Sequence, residues 1–278
     1  MGENGVSSKP RVSVVQYLNT APLVWGMQHG PQAGKFELSM TAPARCAEAV
    51  RGGQAEVGII PSIEYQRMEG LEIVPGVSIS SEAPVHSVVM FSNVPVERVR
   101  SVAVDESSRT SVALLAILLR RFYGLEAQFT AAAPDAAAML RQADAALVIG
   151  DPAMHHRGVA RHVYDLATEW RRFTRQPFVF AVWAGPQSAH LAAYGEAFRA
   201  SRDYGLAHLD DIAAEFAPRH RLKPEAVKYY LTRNINYNLE KGQIEGMRLF
   251  FRLAHEEGLI ARQQELRFAG SGVRVALG

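Results

Sequence analysis

The chain has 278 residues, with 30 basic against 28 acidic side chains, so a formal charge of +2 offers no field to draw a polyanion. No basic helix is interleaved with aromatics either, which argues against nucleic-acid binding, and no run of 18 or more apolar residues offers a membrane span. Hydrophobic residues at 48% and charged residues at 21% make an ordinary globular chain, long enough for two domains, while the lone Cys46 excludes an internal disulfide and a cysteine-ligated zinc site.

The first ten residues, MGENGVSSKP, lack the basic start and apolar run of a secretory leader. The serine that a myristoylation signal needs at position six falls instead at Ser7, so the expectation is a cytoplasmic chain. Val12 to Val15 reads as a buried strand that runs into the polar cluster YLNT, Tyr17 to Thr20, with Pro22 opening a helix to Met27. A strand at Phe36 to Met40, a helix at Pro43 to Arg51 and the apolar run AEVGIIP, Ala55 to Pro61, come next. This alternation predicts parallel βαβ units covered on both faces.

Two longer extended runs stand apart, VHSVVMFSN at Val85 to Asn93 and PFVFAVWAG at Pro177 to Gly185. Between them lies a smaller α/β unit: a strand at Ser101 to Val104, the loop DESSRTS, an amphipathic helix from Thr110 to Tyr123, and a strand in ADAALVIGDP from Ala143. Beyond Pro186 the pattern is helical, with regions at Leu191 to Phe216, Pro224 to Leu239 and Gln243 to Glu257. The organisation expected is a larger discontinuous α/β lobe, residues 1–93 plus 185–278 with a helical C-terminal part, and a smaller inserted α/β lobe, residues 94–184. The architecture resembles the two-lobed fold of type 2 periplasmic solute-binding proteins, which implies a site in the interdomain cleft at the carboxyl ends of the strands.

Four polar clusters fall at strand ends: YLNT, PSIEY at Pro61 to Tyr65, DESSRTS at Asp105 to Ser111, and GDPA at Gly150 to Ala153. The third opens a helix, where free N–H groups favour an anion and Arg109 can add a bidentate carboxylate contact; the same serines can equally serve only as caps. Ser87 sits in PVHSVVM without the sharp G-x-S-x-G turn or the neighbouring base of a nucleophile. It reads as a hydrogen-bond donor or short proton relay, or as a satisfied core serine, and by strand alternation His86 points to the opposite face. Glu64 and Asp151 are the carboxylates best placed for acid or base work, with caps or ion pairs as the alternatives. His155 and His156 are adjacent rather than four apart, and no H-E-x-x-H or G-x-G-x-x-G occurs, so neither a metal nor a nicotinamide or flavin cofactor is expected.

Taken together, YLNTAPLVWG, VGIIPSIEYQR, ISSEAPVHSVVMFSNVP, SSRTSVALLAILLRRFYGLE, ADAALVIGDPA and VYDLATEWRRFTRQPFVFAVWA closely resemble the chorismate dehydratase family of the futalosine route to menaquinone. The resemblance runs from Val12 to Ala184, and the tail GLIARQQELRFAG also fits. It implies a hydro-lyase that removes water from chorismate to give 3-[(1-carboxyvinyl)oxy]benzoate, without a cofactor. It also implies functional residues Asn19 and Ser87. Substrate-binding positions then fall at Tyr17, Thr20, Ser62, Ser107, Ser108, Arg109, Thr110, Ser111, Gly150 and Asp151. Gln16, Ala21 and His86 depart from the family pattern. The alternatives weighed are the dihydroxynaphthoate synthase of the same pathway and a non-catalytic solute-binding protein. The partner expected is the small molecule chorismate, with no nucleic acid and no membrane; among proteins, a second copy of the chain, a homodimer, is left open.

Overall fold

The computed structural model describes residues 9–82, 84–155 and 158–270; the first eight residues and His156, on which some of the expectations fall, lie outside them. The chain begins with β1 (Arg11–Val15), buried from Val12 onward, then α1 (Ala21–His29), β2 (Glu37–Thr41), α2 (Pro43–Arg51), β3 (Val57–Pro61), the short α3 (Ser62–Arg67) and β4 (Leu71–Ser81). It crosses over and builds β5 (Val88–Ser92), β6 (Ser101–Asp105), α4 (Thr110–Ile117), β7 (Gln128–Ala132), α5 (Ala136–Leu140), β8 (Ala145–Ile149), α6 (Asp151–Met154), β9 (His162–Asp165) and α7 (Leu166–Thr174). Strand β10 (Phe178–Pro186) then returns to the first half. The C-terminal part folds into α8 (Gly195–Ala207), α9 (Leu209–Arg219), α10 (Pro224–Tyr229) and α11 (Lys241–Glu256).

The strands form two five-stranded sheets, ordered β2-β1-β3-β10-β4 and β7-β6-β8-β5-β9. The two have the same plan. In each, three strands run parallel and the fourth, a crossing strand, runs antiparallel to the third: β10 to β3 and β5 to β8. This is the two-lobed α/β fold expected, with one correction to the lobe boundaries. Strand β5 pairs inside the second sheet and β10 inside the first, so the chain changes lobes between Ser81 and Val88 and again between Thr174 and Phe178. A fully buried apolar run shows that a strand is interior; it does not say which sheet receives it.

Three further differences have local causes. Strand β4 escapes an alternation search because Pro75 and Gly76 interrupt it, and the ladder to β10 shifts register twice. Strands β7 and β9 are half-exposed edges with a weak apolar signal. Helix α4 is buried on nearly every side rather than amphipathic, because α3, α7, α11 and β10 all pack against it. Its last turn, Leu118–Phe122, widens into a π-helix.

Helix α8 lies directly on α1: a Cβ at Gly205 would stand 2.1 Å from the Pro22 carbonyl oxygen, which only glycine permits. The helical region expected to reach Leu239 stops at Asn234, beyond which Asn236 bridges to Ser80 of β4 in the antiparallel sense. One apolar core runs through both lobes and includes Trp170, Phe178, Trp183 and Phe250. Arg121, in the π-helical turn after α4, pairs with Glu256 at the end of α11 and with Glu257 beyond it. No helix among the described residues is long and apolar enough to cross a membrane.

Candidate active site

Parallel strands place the loops at their carboxyl ends on one side of a sheet, and an antiparallel neighbour starts at that same side. Val88, the first residue of β5, pairs with Ile149, the last of β8; Ala181 of β10 pairs with Pro61, the last of β3. The loops after β1, β3, β6 and β8 and the segments leading into β5 and β10 therefore converge from both lobes. They line a narrow cleft.

From the first lobe, Tyr17 and Asn19 line it; from the second come Ser108, Arg109, Thr110, Ser111 and Gly150, with Ser87 from the crossing. The walls between are apolar, made by Val15, Ile79, Val85, Ile149 and Phe180. A flat unsaturated ring suits such walls, and the polar groups suit its oxygens.

Asn19 lies in the single 3-10 turn Leu18–Thr20 that carries β1 into α1. The Thr20 hydroxyl donates to Asn19 Oδ1 at 3.3 Å, which fixes the orientation of the amide. Thr20 thus orients Asn19 rather than lining the cleft. Ser87 precedes β5 instead of lying inside a strand, and its carbonyl accepts the Gly150 N–H at 2.7 Å. His86 has φ of 58°, the left-handed region, and its N–H donates to Asp165 Oδ2 at 2.7 Å; its ring is exposed, not aimed at Ser87.

The loop before α4 supplies the donors an anion needs. Ser108 Oγ is buried with no hydrogen-bond partner among the described residues, and the first N–H groups of α4 have no carbonyl one turn back. Arg109 stands at the N-cap, where Nη1 donates to the carbonyls of Glu106 and Ser108 at 2.8 and 3.3 Å and meets no carboxylate among the described residues. The Thr110 hydroxyl accepts the Ile63 N–H at 3.1 Å from the other lobe and lies 3.4 Å from Ser62 Oγ, closing the cleft at that end.

The other expected contacts are supports one layer back. Ser62 donates to the Val179 carbonyl at 2.8 Å. Ser107 donates through both its N–H and its hydroxyl to Asp105 Oδ1, whose buried carboxyl is raised by desolvation. Asp151 accepts the Leu18 N–H at 3.0 and 3.2 Å, so it grips the loop next to Asn19 and does not reach the cleft. Burial pushes its carboxyl up to about 6, against the pull of the Leu18 N–H and of His155. His220 lies 3.6 Å from Asp151 and is lowered by its own burial and by Arg219. Glu64 is buried between Arg51 at 2.6 Å and Arg67 at 3.0 Å, an ion-pair centre. Burial raises the Tyr17 phenol to about 12, with Ser107 opposing. A Cβ at Gly150, at φ of 66°, would meet the Tyr17 ring at 2.4 Å.

Two residues escape a reading of the sequence. The Tyr230 hydroxyl donates to Ser87 Oγ at 2.8 Å, and Asn234 Nδ2 donates to the Pro84 carbonyl at 2.7 Å. Both sit in the helical tail, in YLTRNINYN, where a tyrosine among helix formers reads as core. No described residue on the cleft wall is a carboxylate or a histidine, and no cluster of His, Cys, Asp and Glu able to hold a metal occurs among the described residues.

The chain is 30% identical over 264 residues to the chorismate dehydratase of Thermus thermophilus, an alignment covering 84% of this chain and 91% of that protein. Its fold is shared with a crystal structure from Archaeoglobus fulgidus (TM-score 0.74, 18% identity, 92% of this chain and 100% of that one). It is shared also with the periplasmic aliphatic sulphonate binding protein of Escherichia coli (TM-score 0.63, 17% identity, 97% and 96%). At such identities these two speak for the periplasmic-binding-protein-like fold alone. The family model for menaquinone biosynthesis matches residues 10–256, nearly the whole described chain, and with that match the chain belongs to the menaquinone biosynthesis family.

Proposed function

We propose that the chain is a chorismate dehydratase, a hydro-lyase that removes water from chorismate to give 3-[(1-carboxyvinyl)oxy]benzoate. The observation that carries this reading is the meeting of Asn19 and Ser87, from different segments, on one narrow cleft whose polar wall is built of hydroxyls, an amide, helix-start N–H groups and Arg109. The curated relative of the same name supports it.

Chorismate is a dianion whose ring becomes aromatic once the C3 proton and the C4 hydroxyl leave, so the driving force is internal. The ring carboxylate is conjugated to C3 through a double bond, and loss of the C3 proton sends charge onto it. The α4 start, Ser108 and Arg109 are the donors available to that carboxylate, and donors placed in advance where charge develops lower the barrier. Because no described residue of the wall is a carboxylate or histidine that could serve as base, the enolpyruvyl carboxylate of the substrate itself takes the C3 proton. Asn19 and Ser87 hold it in reach. Cytoplasmic localisation belongs to the same reading, since chorismate is an intracellular metabolite.

Incubating the purified protein with chorismate tests this by mass: an aromatic product lighter by one water is expected. Binding without conversion would favour a solute-binding protein, and no interaction at all would bring back the dihydroxynaphthoate synthase.

A further inference from the structure

The crossing from β4 to β5 is held by four residues from three segments. Asn234 holds the Pro84 carbonyl, Asp165 at the start of α7 holds the His86 N–H, Gly150 holds the Ser87 carbonyl, and Tyr230 holds the Ser87 hydroxyl. Tyr230 and Asn234 are the first and last residues of a π-helical turn, Tyr230–Asn234, that extends α10. A widened turn of this kind inserts one residue into the helical repeat and rotates the side chains after it, and such turns recur at functional sites. Tyr229 is 61% exposed, while its neighbour Tyr230 is 5% exposed and turned inward.

A serine hydroxyl has one hydrogen to donate and can accept two bonds. Ser87 Oγ already accepts from Tyr230, so its own hydrogen must point elsewhere. Ser87 lines the cleft and Tyr230 does not. We propose that Tyr230 is a positioning residue of the site: by donating to Ser87 Oγ it fixes Ser87 as a hydrogen-bond donor into the cleft. This inference rests on the dehydratase reading for its substrate. Burial raises the Tyr230 phenol well above its ordinary value, so it keeps its proton and serves as a standing donor rather than as an acid. The Asn19 side chain neighbours the same phenol, which places one hydroxyl behind both residues assigned to the substrate.

The test is a double-mutant cycle on chorismate turnover. Tyr230→Phe removes a single oxygen and is expected to lower kcat about 10- to 100-fold with KM changed less than about threefold. In a Ser87→Ala background the same change is expected to matter less than about twofold, because the partner through which it acts is gone. Replacing Tyr230 with 3-fluorotyrosine, which keeps the ring and the donor, should restore kcat. An unaltered kcat for Tyr230→Phe, or effects that multiply in the double variant, would overturn the proposal while leaving the dehydratase reading intact. A wild-type protein inert toward chorismate would overturn that reading instead. The proposal would then be judged without substrate: a slowly exchanging Tyr230 hydroxyl proton in NMR spectra should be present in wild type and lost in Ser87→Ala, and its absence in wild type would refute the hydrogen bond.

Discussion

The backbone N–H of Leu18 donates to the Asp151 carboxylate, Oδ1 at 3.0 Å and Oδ2 at 3.2 Å, and the two residues belong to different lobes. Leu18 is fully buried, so its amide has no water to turn to, and it precedes the asparagine on which the chemistry depends. Asp151 is thus a clasp between the lobes.

Asparagine at position 151 keeps a carbonyl acceptor for that amide, whereas alanine does not. Asp151→Asn is expected to retain turnover within roughly fivefold, while Asp151→Ala should lose about 1–3 kcal/mol of stability, the cost of an unpaired buried donor. Chemical denaturation and steady-state kinetics on the two variants check this, and near-total loss of turnover in Asp151→Asn with chorismate still bound would point to Asp151 as a protein base.

The same residue gives a pH signature. Its carboxyl titrates near 3.8 in a free chain and is raised to about 6 by burial in the fold. The folded state therefore favours the protonated form: this contribution to stability is full below about 4 and is lost as the pH rises through about 6. His220, lowered by burial, acts with the opposite sign, so the comparison must be with Asp151→Asn, which keeps the histidine. The difference in denaturant midpoint between wild type and Asp151→Asn should move in favour of wild type on acidification across that window, and a pH-independent difference would contradict the assignment.

Ser87→Ala and Asn19→Ala should each lower kcat by about 100-fold or more, the loss seen when one preorganised donor is removed from a developing charge. Both variants should remain folded by circular dichroism. Glu64→Gln, by contrast, should keep turnover within about threefold while costing about 1–3 kcal/mol, since it leaves Arg51 and Arg67 without their shared carboxylate.

Gly150→Ala puts a methyl group where the Tyr17 ring stands 2.4 Å away and asks alanine to hold φ of 66°. A loss of about 2 kcal/mol or more and a lower kcat/KM are expected, read from thermal melting and initial rates.

Much of the fold is legible in the sequence because it repeats a simple rule. Strands β1, β3, β6 and β8 are mainly apolar and almost wholly buried, each followed by a polar cluster, and in parallel βαβ units those clusters must share one end. The hidden part depends on three-dimensional partners. The lobe to which β5 belongs is decided by its pairing with β8 and β9, far along the chain. Asp151, Ser62 and Ser107 look like cleft residues by position, yet their side chains turn to Leu18, the Val179 carbonyl and Asp105. Tyr230 comes from a region 143 residues beyond Ser87 and acts through a helix irregularity that no periodicity announces.

Whether the cleft dehydrates chorismate is decided by mixing the purified protein with chorismate alone, no cofactor added, and following the ultraviolet spectrum with mass analysis of the endpoint. The diene spectrum is expected to give way to that of an aromatic product one water lighter, at a rate that collapses in Ser87→Ala. Chorismate recovered unchanged after prolonged incubation with stoichiometric folded wild-type protein would contradict the assignment.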